Sequence, residues 1–134
     1  MDKKKFENLK YVGSISKVVV NIPNEEELKG ALQSQDKIEI KDINEEIKLN
    51  VERKMFFDEI KNFDIDCIFT VNINNKWNFK KKDIEKAIKE ELLNYIITDI
   101  YSDISLIIAT LTKCSYFGTI VTIPATIYED LIVK

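Results

Sequence analysis

Apolar and polar positions alternate along residues 47–57: Ile47, Leu49, Val51, Met55 and Phe57 fall on one face, and Lys48, Asn50, Glu52 and Lys54 on the other. Residues 63–73 repeat the pattern, with Phe63, Ile65, Cys67, Phe69, Val71 and Ile73 together and Asp64, Asp66, Thr70 and Asn72 opposite. A period of two with one wet side predicts antiparallel strands that cover a core with one face. DEIKN (58–62) reads as their hairpin connection. Upstream, YVGSISKVVVNIP (11–23) is strand-like but slips phase. Tyr11, Gly13 and Ile15 are odd-numbered and Val18, Val20 and Ile22 even, which predicts a bulge near Ser16 and Lys17 and an end at Pro23. NEEELKGALQSQ (24–35) reads as a polar connection with room for a helical turn. DKIEIKDI (36–43) fits either a further short strand or the early part of the 47–57 one. In NINNKWNF (72–79), Asn74-Asn75 is a turn signal and Trp77 and Phe79 fit a last short strand.

From Asp83, an N-cap candidate, the period becomes helical. Ile84, Ile88, Leu92, Tyr95, Ile96, Ile100, Ile104, Ile107, Ile108 and Leu111 recur at three- and four-residue intervals. Beyond Glu91, residues Leu93, Ile97, Tyr101 and Leu106 lie off that stripe, and a helix apolar on several sides is covered on several sides. A single helix over 83–113 would be roughly 46 Å long. A compact chain of this size is only about 36 Å across. The helix therefore either breaks or overhangs its domain and meets a partner subunit; an oligomer is the expectation.

Residues 105–128, SLIIATLTKCSYFGTIVTIPATIY, carry Lys113 as their one charge. A membrane span needs about 20 consecutive apolar residues. Here Thr112, Lys113, Gly118 and Pro124 interrupt the run, so no span is expected. MDKKKFENLKYV lacks an apolar stretch after its lysines, so no signal peptide is read and the expected location is the cytoplasm.

With 134 residues, 45% of them hydrophobic and 32% charged, the chain has the length and composition of one folded domain spanning 1–134. Strands first and one long helix after them predict an α+β class with an antiparallel sheet of about four strands. A net charge of −3 argues against a nucleic-acid partner, and Lys80, Lys81 and Lys82 read as a helix flank. Cys67 and Cys114 have no CxxC spacing and read as small buried hydrophobes. The chain has no histidine, so the commonest general base and metal ligand is missing. Gly13, Gly30 and Gly118 are isolated and form no phosphate loop. Asp64 and Asp66 share a strand face, where a hard cation is conceivable, but a solvated sheet face explains them as well. Glu25, Glu26 and Glu27 read as loop surface. No catalytic residue, metal or cofactor is expected. Tyr116, Phe117, Ile120, Val121 and Ile123, punctuated by Gly118 and Pro124, form instead an apolar, hydroxyl-bearing segment suited to line a groove for another apolar chain.

Antiparallel strands, a long C-terminal helix and then a proline-bearing crossover segment resemble the SecB export chaperones. Ala109-Thr110-Leu111-Thr112 falls where that family has a Ser-x-Leu-Thr-like helix end, and Ile123-Pro124-Ala125-Thr126 where it has Pro-Pro-Ile-Asn. SISKVVVNIPN (14–24) is similar to its first strand. Ser102, Asp103 and Ser105 replace the Pro, Tyr and Arg of its helix motif. The resemblance implies an ATP-independent holdase, a dimer of dimers that keeps preproteins unfolded, with the SecA motor as a further partner. It implies client contacts at Trp77, Phe79, Tyr116, Phe117, Ile120, Val121 and Ile123. Tyr95, Ile97, Tyr101, Ile104 and Ile108 would form the subunit interface, and Glu52, Asp64 and Asp66 an acidic partner-binding face. Two alternatives stand beside it: a SecB-like chaperone dedicated to one partner, such as the antitoxin of a toxin-antitoxin module, and a non-catalytic oligomeric assembly protein.

Overall fold

A computed structural model describes residues 3–23, 31–58, 60–115 and 118–134, with the Lys61 side chain set aside. Glu25, Glu26, Glu27, Gly30, Tyr116 and Phe117 lie outside the described residues. The class is α+β. Strands β1 (Tyr11–Asn21), β2 (Leu32–Ile43), β3 (Glu46–Phe57) and β4 (Ile60–Asn74) are followed by helices α1 (Lys81–Lys89) and α2 (Asn94–Thr112) and a short β5 (Ile132–Val133). The sheet order is β1-β4-β3-β2-β5, antiparallel throughout except that β5 runs parallel to β2.

The alternation in β3 and β4 does what a period of two requires. Ile47, Leu49, Val51, Ile65, Cys67, Val71 and Ile73 are buried beneath the helices, and burial pushes the Cys67 thiol up to about 11, leaving it inert. β1 shifts register between Ile15 and Lys17, where the phase slip predicts the bulge. Gly13 is the point of closest approach to α2: a Cβ there would lie 2.6 Å from Ile100 Cδ1.

Several expectations are corrected. β2 is a full strand rather than a short one and already includes Leu32–Gln35, so the polar connection is shorter than its composition suggests. The β3–β4 hairpin is tight, with Phe57 opposite Ile60, so residues 60–62 belong to the strand and not to the loop. Trp77 and Phe79 are not in a strand. The Asn75 amide clamps a turn instead: its Oδ1 accepts from Phe79 N at 2.8 Å, and its Nδ2 donates to the carbonyls of Asn44 (2.9 Å) and Phe79 (3.2 Å). Asp83 is the third residue of α1, its Oδ2 accepting from the Lys80 N–H at 2.8 Å. Cys114 is exposed rather than buried.

The long helix breaks. Glu91 takes φ 61°, Leu92 N–H donates to Ala87 C=O and Glu91 N–H to Ile88 C=O, the paired bonds of a Schellman stop. The stop uses Glu where Gly is usual, a strain of about 1 kcal/mol that tertiary packing offsets. It turns one overlong helix into two short enough to lie on the sheet. α1 seats Ile84, Ala87 and Ile88. α2, about 28 Å long, packs against β4, β3 and β1. α2 is long and apolar enough to cross a membrane by length and composition alone, yet its buried stripe of Ile96, Ile97, Ile100, Ile104 and Ile108 is spent on the sheet.

Candidate binding groove

After α2 the chain reaches Gly118, which has φ 77° and whose carbonyl accepts from the Ser115 hydroxyl at 3.0 Å. It then runs back over the β2–β3 half of the sheet. Thr112 sets its start: Oγ1 donates to Ile108 C=O at 2.7 Å and accepts from Ile120 N–H at 2.8 Å. Ser105 Oγ donates to Thr122 C=O at 2.8 Å, and Thr122 Oγ1 donates to Ser105 Oγ at 3.1 Å. Tyr128 Oη reaches Asn94 Oδ1 at 2.7 Å, and β5 ends the return beside β2.

The central fastener is Arg53, 1% exposed on the helix-side face of β3. Its Nε and Nη2 form a fork on Asp36 Oδ1 and Oδ2, both at 2.8 Å. Nη2 also donates to Ala125 C=O at 2.6 Å, while Nη1 donates to Ile123 C=O at 2.6 Å and Thr122 Oγ1 at 2.9 Å. All five guanidinium protons are thus accounted for. The plane lies 4.9 Å from the Tyr101 ring centroid, and the Tyr101 hydroxyl donates to Glu52 C=O at 3.1 Å. Burial first, and then the Asp36 charge, push that phenol far above its ordinary range. The alternation of β3 places position 53 on the core face, and Asp36 shares its face with Ile38 and Ile40. An arginine and an aspartate both facing a core is the one signal in the sequence that points to the fastener.

Pinned this way, the return segment forms one wall of an open groove of about 330 Å³, with Leu32, Met55, Val121, Ile123 and Ile127 as its apolar lining. Val121 is 79% exposed, Ile123 50% and Ile127 53%. The floor also carries a backbone edge. Ile38 C=O and Ile40 N–H bond to β5 through Lys134, so the even-numbered residues of β2 point their backbone groups to that side. β5 pairs only with Lys37 and Ile38. The bridge of Lys37 with Ile132 takes up the Asp36 C=O, and among the described residues no backbone hydrogen bond reaches the same edge at Leu32 or Ser34.

The expected client contacts divide. Val121 and Ile123 line the groove; Ile120 is half-buried and packs on the core. Phe79 is buried and stacks on Phe6 at 4.3 Å, so it is core. Trp77 is exposed but belongs to a separate cavity, at the end of the sheet where Asn74 meets Glu46. That end lies roughly 25 Å from the groove along β3. The expected interface residues are corrected too: Ile97, Tyr101, Ile104 and Ile108 are buried within their own chain and present no surface to a partner. Tyr95 is partly exposed, its hydroxyl accepting from Leu9 N–H and donating to Phe6 C=O, both at 2.9 Å. The exposed apolar residues on these elements are instead Val12, Ile15 and Val18 of β1 and Leu106 and Leu111 of α2.

The acidic face is only partly compensated by lysines. Asp66 lies 3.3 Å from Lys17 and Glu52 3.5 Å from Lys37, with Asp66 almost fully buried and Asp64 half-buried. Burial, then the neighbouring Asp66 carboxyl, raise the Glu52 pKa above the usual carboxylate range. The sequence matches no protein-family model and no curated protein.

Proposed function

We propose that this protein is a holdase of the SecB kind, binding extended, nonpolar polypeptide segments such as those of unfolded preproteins without catalysing a reaction. The observation that carries the reading is the juxtaposition of exposed Val121, Ile123 and Ile127 with the β2 edge at Leu32 and Ser34, which is free among the described residues. An apolar lining rewards burial at about 25 cal/mol per Å² with little regard to sequence. A free strand edge supplies main-chain pairing that any unfolded chain can use. A folded protein offers neither an extended strand nor a continuous run of side chains to such a groove. At 330 Å³ the groove is at the small end of ligand sites and takes a few side chains of a longer chain that extends past both ends.

The proposed assembly is a homo-oligomer, with β1 as the joining element. It is an eleven-residue edge strand with exposed Val12, Ile15 and Val18 and Lys17 as its one charge, few of the usual protections of a sheet edge. A SecA-type motor partner would need a surface other than the Glu52–Asp66 row, where Glu52 and Asp66 are each engaged by a lysine.

The test is a titration with a reduced, non-folding polypeptide and with the same polypeptide in its native form, followed by size-exclusion chromatography with light scattering. The expected result is a stoichiometric complex with the unfolded form alone, from a species larger than the 15.6 kDa monomer. No complex, or equal binding of both forms, overturns the holdase reading.

A further inference from the structure

The fold gathers lysines that are far apart in the sequence. Phe6 stacked on Phe79 brings the turn Lys3–Phe6 to the pole of the molecule where α1 starts, so Lys3, Lys4 and Lys5 share that end with Lys80, Lys81 and Lys82. The bond from Asn74 N–H to Lys10 C=O brings Lys10 to the same end, beside Lys76. All eight lysines are exposed. Among the described residues, the acids set beside these lysines are Glu7, Glu45, Glu46 and Asp83; this group carries +4 in a chain whose net charge is −3, so that the remainder carries −7. Trp77 stands in the middle, 45% exposed, with Lys5 Nζ 5.4 Å and Lys76 Nζ 5.1 Å from its ring centroid. A cavity of about 390 Å³ opens beside it, lined by Lys4, Lys10, Lys76 and Glu7.

This arrangement runs against local stability. A helix N-terminus favours acidic side chains because the macrodipole is positive there. α1 instead begins with Lys80, Lys81 and Lys82, offset by Asp83 alone in its first turn. Positive charge concentrated where the helix resists it marks a surface kept for a purpose other than folding.

We propose that this pole docks the protein on anionic lipid surfaces, with Trp77 entering the headgroup region and the lysines facing the phosphates. Tryptophan prefers that boundary, where its apolar ring and its N–H are both served. Each lysine at an anionic surface adds about 1 kcal/mol, equivalent to about fivefold in affinity. The recognition elements are point charges: the chain's one arginine, Arg53, is buried elsewhere. Trp77 is also the sole exposed large aromatic of this pole among the described residues. Single-stranded nucleic acid is held by a succession of stacking aromatics along a basic track. A single ring on a rounded basic end, with −7 behind it, meets a plane better than it wraps a strand. Screening over about 8 Å keeps the distant acids from opposing the contact.

Because Trp77 is the only tryptophan, its emission reports on this site alone. The experiment titrates the full chain with vesicles of phosphatidylcholine, with vesicles of phosphatidylcholine and phosphatidylglycerol, and with a single-stranded oligonucleotide, and checks each by co-sedimentation or gel shift. The expected result is a blue shift and co-sedimentation with the anionic vesicles alone, reversed by high salt. K80Q/K81Q/K82Q should then weaken binding roughly a hundredfold, and K5Q/K76Q, which leaves α1 untouched, should weaken it in the same direction. Circular dichroism of both variants separates lost binding from lost fold. Equal response to neutral and anionic vesicles, anionic binding unchanged in both variants, or an oligonucleotide bound as tightly as the anionic vesicles would each overturn the proposal.

Discussion

Arg53 Nη1 donates to the carbonyl of Ile123 at 2.6 Å, joining β3 to the return segment across 70 residues of chain. The same side chain carries the Asp36 fork and the Ala125 bond, so the groove wall is as firm as one buried guanidinium. Removing one member of a buried ion pair strands the other, which costs about 3–5 kcal/mol. R53M is expected to destabilise by that amount in urea unfolding. R53K is expected to fall between, since an ammonium cannot reproduce the planar fork. Limited proteolysis should cut residues 119–127 of R53K faster than those of the wild type while the strands stay protected. A wild-type cleavage rate in R53K would show that the segment is held by its other contacts.

Thr112 ends α2 and begins the return with one hydroxyl, between Ile108 C=O and Ile120 N–H. T112V keeps the shape and leaves the Ile120 N–H without its acceptor, at a cost of about 1–3 kcal/mol. T112S retains the hydroxyl and should lose much less. The comparison is read from the midpoints of chemical unfolding, and equal losses would assign the effect to packing instead.

Glu52 gives the molecule a pH signature. Its pKa is raised in the folded state, so the folded protein binds that proton more tightly than the unfolded chain does. The stabilisation is fully present below the unfolded carboxylate value and is lost as pH rises through the folded one. The groups facing it are Asp66, Lys17, Lys37 and Lys54, from all the neighbouring strands. E52Q cannot titrate, so its stability relative to wild type should become more favourable as pH rises from the unfolded carboxylate value toward neutrality. A difference that stays flat with pH would show that Lys37 fully compensates the charge.

Much of this architecture is written in local pattern. The alternation of β3 and β4 and the phase slip of β1 are consequences of one-sided burial, so sequence alone reveals them. A break is one of the two outcomes that the helix length allows, but its position at Glu91 is not legible, because a left-handed glutamate carries no composition signal and is imposed by the need to seat two helices on one sheet. β5 is two residues long and has no periodicity to read. Trp77 and Phe79 continue the alternation of β4 on paper, but the Asn75 clamp turns the chain before either can pair. For the site, Val121 and Ile123 were legible as apolar residues beside a proline. The Arg53–Asp36 pair that positions them is a tertiary contact between two strands and a distant segment. The lysine pole is equally non-local: it exists because Phe6 finds Phe79.

The free edge of β2 permits a test that separates strand pairing from simple apolar contact. Ser34 lies two residues along from Asp36 and four from Ile38, so its N–H points away from β3 and into the groove. Proline at such a position removes a donor that the sheet does not use, and edge strands tolerate it there. Proline at Gln35 removes a donor aimed at β3, which a ladder does not tolerate. S34P is therefore expected to unfold within about 1 kcal/mol of wild type, whereas Q35P should lose several-fold more stability. If clients add a strand to this edge, S34P should bind the reduced polypeptide markedly more weakly than wild type does, while V121S/I123S weakens it through the apolar wall. If S34P binds as wild type and only V121S/I123S fails, clients are held by side chains alone, and the backbone edge has no part in recognition.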